Sequence, residues 1–329
     1  MKKQQKHRYV SLITHIAITL LATHGLMYLF GRLLNLVYTV AYVSYGNVFL
    51  VDIIFLIVDC VKYVACLIIP LKLFSYLRRN AFHEKVLPED HEKAPVLTVI
   101  AILLLGVAAN WIFAWSNIIA NESLFSYMGE NEEYILGSQL IYGYQIVIYI
   151  ISTAILPAIV EEYVFRHIIC RSLLPYGPKT AVFISAVLFG LMHVSIQKIG
   201  FTFIAGIFLG WVYVASKDIK MSIIFHFVHN FMCCVSTIIA VKVSPTDASL
   251  FVVKYATVLC FVGIVALVYL LAKRNKENEK LVMLTDEEGV EGKLLSLGER
   301  ITGFFSPVMI VFVVATLVQM YYYLSFSLV

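Results

Sequence analysis

The chain has 329 residues, of which 60% are hydrophobic and only 14% charged, with a formal net charge of +4. Soluble domains carry roughly a quarter of their residues as charges, so this composition excludes an ordinary soluble enzyme. The small basic excess, with no basic-aromatic stripe, excludes nucleic acid as a partner.

Apolar runs long enough to cross a hydrocarbon core of about 30 Å recur along the chain, and the alternating pattern of an outer-membrane barrel is absent. The expected fold is all-α, a polytopic transmembrane bundle of about 8–9 spans with the lipid bilayer as its surroundings. The first apolar run, 9–44, follows a basic start from Met1 to Arg8. It is roughly twice the core length of a signal peptide, which predicts a retained span. It is also too long for one straight crossing, and Gly31 and Arg32 are where it is expected to leave the membrane core. Further spans are predicted at 49–76, 96–118, 139–160, 179–196, 199–216, 221–242, 250–272 and 303–326. Pro157 should break or kink the fourth, with helix continuing to about Leu174. A short interfacial helix is expected near Val290–Leu297. Residues 1–138 then form N-terminal spans, 139–242 a core, and 243–329 C-terminal spans with a cytosolic linker.

Lysine and arginine crowd the segments on the N-terminal side of the bilayer, among them Lys72, Arg78, Arg79, Lys217, Lys220, Lys273 and Arg274. The opposite loops hold only Lys198, Lys242 and Lys254, and 119–138 has no basic residue. The positive-inside rule therefore predicts a cytosolic N-terminus, and nine spans an external C-terminus. The six cysteines, Cys60, Cys66, Cys170, Cys233, Cys234 and Cys260, lie in or beside apolar runs and read as free thiols. With no organelle-retention signal, a bacterial plasma membrane is the expected location.

Ionisable groups inside lipid are costly, and each asks for a partner or a function. His15 and His24 are expected to hydrogen-bond within the bundle, and Asp59 and Lys62, three apart, to pair on one helix face. The run Glu161-Glu162-Tyr-Val-Phe-Arg166 is different. Glu162 and Arg166 have the favourable i, i+4 order for an ion pair. Adjacent helical residues point about 100° apart, so Glu161 should be left available on another face, the two carboxylates not serving one spot. Phe189 and His193 follow on the next span, then His226, His229 and Asn230. A carboxylate, two histidines and a carboxamide suit peptide hydrolysis, which needs a base for water and donors for an oxyanion.

Glu-Glu-x-x-x-Arg, Phe-x-x-x-His and His-x-x-x-Asn, in this order on successive membrane helices, resemble the CPBP family. That family contains the CAAX prenyl endopeptidases and the bacterial Abi-type proteases implicated in bacteriocin maturation and self-immunity. Pro157 before the glutamates and Gly206-x-x-x-Gly210 before the last motif fit as well. The resemblance implies that Glu161 and His193 activate water while His226 and Asn230 line the oxyanion hole. Glu162, Arg166 and Phe189 support them. It implies a membrane-associated peptide or protein as substrate and, on a glutamic mechanism, no cofactor. A zinc alternative would use Glu161, His193 and His226, although no HExxH helix is present and asparagine is an uncommon zinc ligand. His167 stands where many members have glycine and is expected to be an interfacial neighbour. A noncatalytic scaffold or immunity protein is the competing reading.

Overall fold

The computed structural model describes residues 2–45, 48–79, 93–124, 143–276 and 295–326. Ten helical elements follow one another: α1 (Lys2–Tyr45), α2 (Val48–Leu77), α3 (Val96–Leu124), α4 (Gly143–Tyr176), α5 (Pro178–Met192), α6 (Ile196–Ser216), α7 (Ile219–Lys242), α8 (Pro245–Lys276), α9 (Leu297–Phe304) and α10 (Pro307–Phe326). There is no strand among the described residues. The all-helical membrane reading stands. Among the described residues six helices are long and apolar enough to cross a membrane, or seven if the pair α9–α10, bent by 61°, is one span, so the full 8–9 spans are not found there. α5 falls below that length, as does Val96–Ile112, the stretch of α3 whose side chains are described, although the helix itself continues to Leu124. At 15 residues, α5 rises only about 22 Å, short of the bilayer core.

The long first helix does not turn at Gly31. It runs unbroken for 44 residues, about 66 Å, and its side chains pass from buried to exposed after His24. The interfacial helix expected near Val290–Leu297 falls mostly outside the described residues, and a separate short helix, α9, starts at Leu297. Ser296 and Glu299 form a reciprocal capping box at its N-terminus. The segments 80–92, 125–142 and 277–294, which carry much of the orientation reading, lie outside the described residues.

The interruption expected at Pro157 takes the form of π-helical turns. In α4 the segments Ile151–Ile155 and Tyr163–Cys170 are π-helical, flanking an α-helical stretch, Leu156–Glu162, that holds Pro157 and both glutamates. A proline lacks the N–H that would bond to the carbonyl four residues earlier and crowds that carbonyl with its ring. The wider π turn relieves this clash. Helix then continues to Tyr176, as the sequence predicts, and Gly177 (φ +108°) turns the chain into α5.

The largest core runs through α1, α2, α4 and α5, with Tyr9, Phe74, Phe165, Leu173 and Phe189 all buried. A hairpin of α5 and α6 packs so tightly that a Cβ at Gly206 would stand 3.0 Å from the Ala186 Cα, and one at Gly210 2.9 Å from Val182 Cγ1. The close approach read from the Gly-x-x-x-Gly spacing is thus realised between these two helices. Arg300 of α9 donates to the Tyr176 carbonyl (3.0 Å) and to Thr180 Oγ1 (2.9 Å), fastening the C-terminal part to the α4–α5 junction. All six cysteines are free. His24 is buried, stacked on Phe312, with Nδ1 3.4 Å from Thr316 Oγ1. Nδ1 of His15, by contrast, has no hydrogen-bond partner among the described residues. The Asp59–Lys62 pair forms.

Because the backbone of α5, not a flexible side chain, faces Gly206, a Gly206→Leu variant should force the two helices apart. Overpacking of this kind costs about 1–3 kcal/mol or more. A lower thermal midpoint in detergent is the expected result, and an unchanged midpoint would show that the interface gives way freely.

Candidate active site

Three helices deliver the charged cluster. Glu161 and Glu162 come from the stretch of α4 between its π turns, Phe189 and His193 from the end of α5, and His226 from the middle of α7. Glu162 and Arg166 are fully buried, and the Arg166 Nε lies 3.2 Å from Glu162 Oε2, so the expected ion pair forms. Arg166 also donates to the Gly206 carbonyl (3.3 Å), and its guanidinium lies over the Phe189 ring, 4.6 Å from the centroid. The Gly206 position therefore does two things: it lets α6 come close, and it offers a backbone acceptor to a cation that lipid could not solvate.

Glu162 has a second partner that the helical spacing did not suggest. His226 Nδ1 is 2.9 Å from Glu162 Oε1, and since a carboxylate can only accept, Nδ1 carries the proton. The opposite nitrogen, Nε2, points toward Glu161, 3.9 Å from its Oε2. The expectation that adjacent glutamates serve different places holds for their oxygens but not for their target. The two carboxylates approach one imidazole from its two nitrogens.

Glu161 is part-buried, with 14% of its side chain exposed. Its Oε1 accepts from the Tyr63 hydroxyl of α2, while Oε2 has no hydrogen-bond partner among the described residues. Nothing in the sequence had marked Tyr63.

His193 closes α5, and its Nδ1 is 2.8 Å from the Phe189 carbonyl, which fixes Nδ1 as the donor and leaves Nε2 with its lone pair. The next residue, Val194, has φ +49°. A β-branched side chain in the left-handed region is a strained arrangement, costing about 1–3 kcal/mol. That strained turn reverses the chain straight into the Ser195 cap of α6, so His193 sits at a sharp, fixed corner. The Phe189 ring is the common neighbour, with His193 at 4.9 Å, His226 at 5.8 Å and Phe165 at 5.2 Å between centroids.

Asn230 lies one turn beyond His226. Its Nδ2 donates to the Thr153 carbonyl at 3.1 Å. In a regular helix that carbonyl would accept from the N–H of residue 157, which proline does not have. Asn230 thus ties α7 to the π turn of α4 and keeps one N–H for other use. His229 turns away from this cluster: its Nε2 is 3.0 Å from Asn110 Nδ2 of α3, with the Trp111 ring 6.0 Å from its own. His167 stacks on the exposed Tyr163, on the outer flank of α4.

A zinc ion would need three of these ligands within about 2.0–2.2 Å of one point. The bond from His226 Nδ1 to Glu162 would leave Nε2 free for a metal, as in carboxylate–histidine–metal arrangements. As these side chains are placed, however, no three His, Cys, Asp or Glu among the described residues are grouped to hold one, so they do not fit a zinc site in this arrangement.

Residues 143–232 match the family model described as type II CAAX prenyl endopeptidase Rce1-like. The match covers Glu161, Glu162, Arg166, Phe189, His193, His226 and Asn230, and it bears out the resemblance carried by the three motifs. Neither a curated protein nor a solved structure matches the chain. The matched family is one of membrane-embedded peptide hydrolases, and its segment lies within a multi-pass helical membrane protein.

Glu162→Gln should be costly to the fold, because it leaves Arg166 charged and unpaired in a dry interior. Breaking one partner of such a pair costs about 3–5 kcal/mol. A marked fall in folded yield and in thermal midpoint is expected, and yield and midpoint equal to wild type would rule out a structural role for the pair.

Proposed function

We propose that the chain is an intramembrane endopeptidase that cleaves a peptide bond in a membrane-associated protein or peptide, with Glu161 as the base. The observation that carries this reading is the unpartnered Oε2 of Glu161, part-buried and 3.9 Å from His226 Nε2, inside the segment that matches a peptidase family. Glu162 Oε2 also lacks a hydrogen bond but faces the Arg166 Nε at 3.2 Å, whereas Glu161 Oε2 has neither a hydrogen bond nor an arginine beside it. A carboxylate oxygen left without a donor in such a place is available to take a proton.

Water placed against Oε2 gives its proton to Glu161 as its oxygen bonds to the scissile carbonyl carbon. The Nε2 lone pair of His193 helps to orient that water. The carbonyl oxygen becomes an oxyanion, and the N–H that Asn230 retains and the Nε2 edge of His226 are the groups offered to it. Glu162 against Nδ1 supplies the countercharge His226 needs when Nε2 also carries a proton. Collapse of the intermediate breaks the C–N bond, and the proton held by Glu161 passes to the leaving amine. No cofactor enters this scheme.

The experiment uses purified protein in proteoliposomes and a farnesylated peptide ending in a CAAX sequence, with products read by mass spectrometry. Glu161→Gln keeps size and polarity but removes the base, so cleavage should fall by roughly 10²–10⁴-fold while the fold survives. Strong chelation should leave the wild-type rate intact. Full activity of Glu161→Gln would return the protein to the scaffold reading, and loss on chelation with recovery on added zinc would return it to the metal one.

The lysine and arginine distribution supports a cytosolic N-terminus and entry of the substrate from the cytosolic side. Single cysteines introduced into a cysteine-free background should be labelled from the cytosol at 80–90 and from outside at 120–135. Cytosolic labelling of the second set would invert the orientation.

A further inference from the structure

We propose that Tyr63 is a positioning residue that decides which oxygen of Glu161 acts as the base. This rests on the reading of Glu161 as the base. Tyr63 lies on α2, outside the matched segment 143–232, and reaches Glu161 across 98 residues of sequence. A hydroxyl has one proton to donate, and here it goes to Oε1. The other oxygen, Oε2, is the one nearest the imidazole edge of His226. The carboxylate is therefore held at one corner and left reactive at the other.

The surroundings give Tyr63 this task by elimination. The groups facing Glu161 are Tyr63 from α2, His226 from α7 and His193 at the end of α5. On its own helix, Glu162 and Arg166 neutralise each other. Lys62, next to Tyr63, is taken up by Asp59 on the more exposed side of α2. Only the Tyr63 hydroxyl donates to Glu161 among the described residues, so without it the carboxylate could rotate about its last bond and present either oxygen. Rotational freedom at the base is what well-placed catalytic groups avoid.

Tyr63→Phe tests this, since it removes one oxygen atom and leaves the ring. In the farnesylated-peptide assay kcat should fall about 10–10²-fold, the scale of one hydrogen bond to a charged group, with KM unchanged. A substrate-free measurement runs beside it. The infrared carboxylate band of Glu161, isolated as the difference between wild type and Glu161→Gln, should shift when the same difference is taken in a Tyr63→Phe background. An unmoved band, or a kcat equal to wild type, overturns the proposal. If Glu161→Gln keeps full activity, the base reading fails and Tyr63 loses its catalytic role, while the infrared band still reports whether the hydrogen bond exists.

Discussion

Burying a full charge in a medium without water is the constraint around which the centre of this protein is arranged. Arg166 and Glu162 are both fully buried in a membrane-embedded bundle, and each isolated ion would carry a desolvation cost of several kcal/mol. Arg166 answers it with a carboxylate, a backbone carbonyl and an aromatic face. Those three partners come from α4, α6 and α5, so neutralising one guanidinium fixes three helices against each other. Glu162 completes the set by accepting from His226, which brings in α7. The packing of the core follows from these demands as much as from its apolar surface. The glycine at 206 illustrates it, since any side chain there would push away the carbonyl that Arg166 needs.

The break in α4 belongs to the same economy. A straight α-helix would bond the Thr153 carbonyl internally and leave Asn230 without that acceptor. Pro157 removes the internal donor, the π turn widens the helix, and the carbonyl faces α7, where Asn230 meets it. In lipid a freed carbonyl must find a partner inside the protein. The proline thus creates a docking point at the level of the glutamates, four residues before Glu161. The second π segment begins right after Glu162, so the α-helical stretch bearing both acids is short and bounded on each side by irregular turns. Such turns are frequent at functional sites because they alter side-chain direction without breaking the helix.

Much of this was legible in the sequence, and the reasons for what was not are physical. The Glu162–Arg166 pair, the helix break at Pro157, the free cysteines and the Gly206/Gly210 approach all rest on local spacing or on chemistry that a single helix dictates. Tyr63 was invisible because its partner is far along the chain, and among 20 tyrosines in an apolar sequence an aromatic in a span carries no distinguishing pattern. The sharing of His226 by both glutamates was missed for a related reason. Helical geometry sets the directions of two side chains, but a planar ring on a neighbouring helix can meet both, one at each nitrogen. His229 looked close to the motif face, yet tertiary packing gave it to Asn110. The run at 179–196 gave no sign that α5 has only 15 residues, because a hydropathy run does not reveal how far a helix travels.

The shared imidazole has one more consequence for how the site works. Glu162 belongs to the buried ion-pair cluster and Glu161 is the proposed base, yet His226 touches the first through Nδ1 and faces the second through Nε2. The ring is rigid, so its orientation toward Glu161 is set by its bond to Glu162. The ion pair that holds the helices together therefore also aims the edge of His226 at Oε2 of Glu161, the oxygen proposed as the base. Stability and chemistry cannot be varied separately at this point of the fold. The Phe189 ring reinforces the coupling, because Arg166 lies over its face while both histidines pack around it. Two adjacent glutamates are needed because one carboxylate could not both neutralise Arg166 and keep an oxygen free. Glu162 is committed to the fold, and that commitment is what leaves Oε2 of Glu161 without a hydrogen bond, as the proposed base requires.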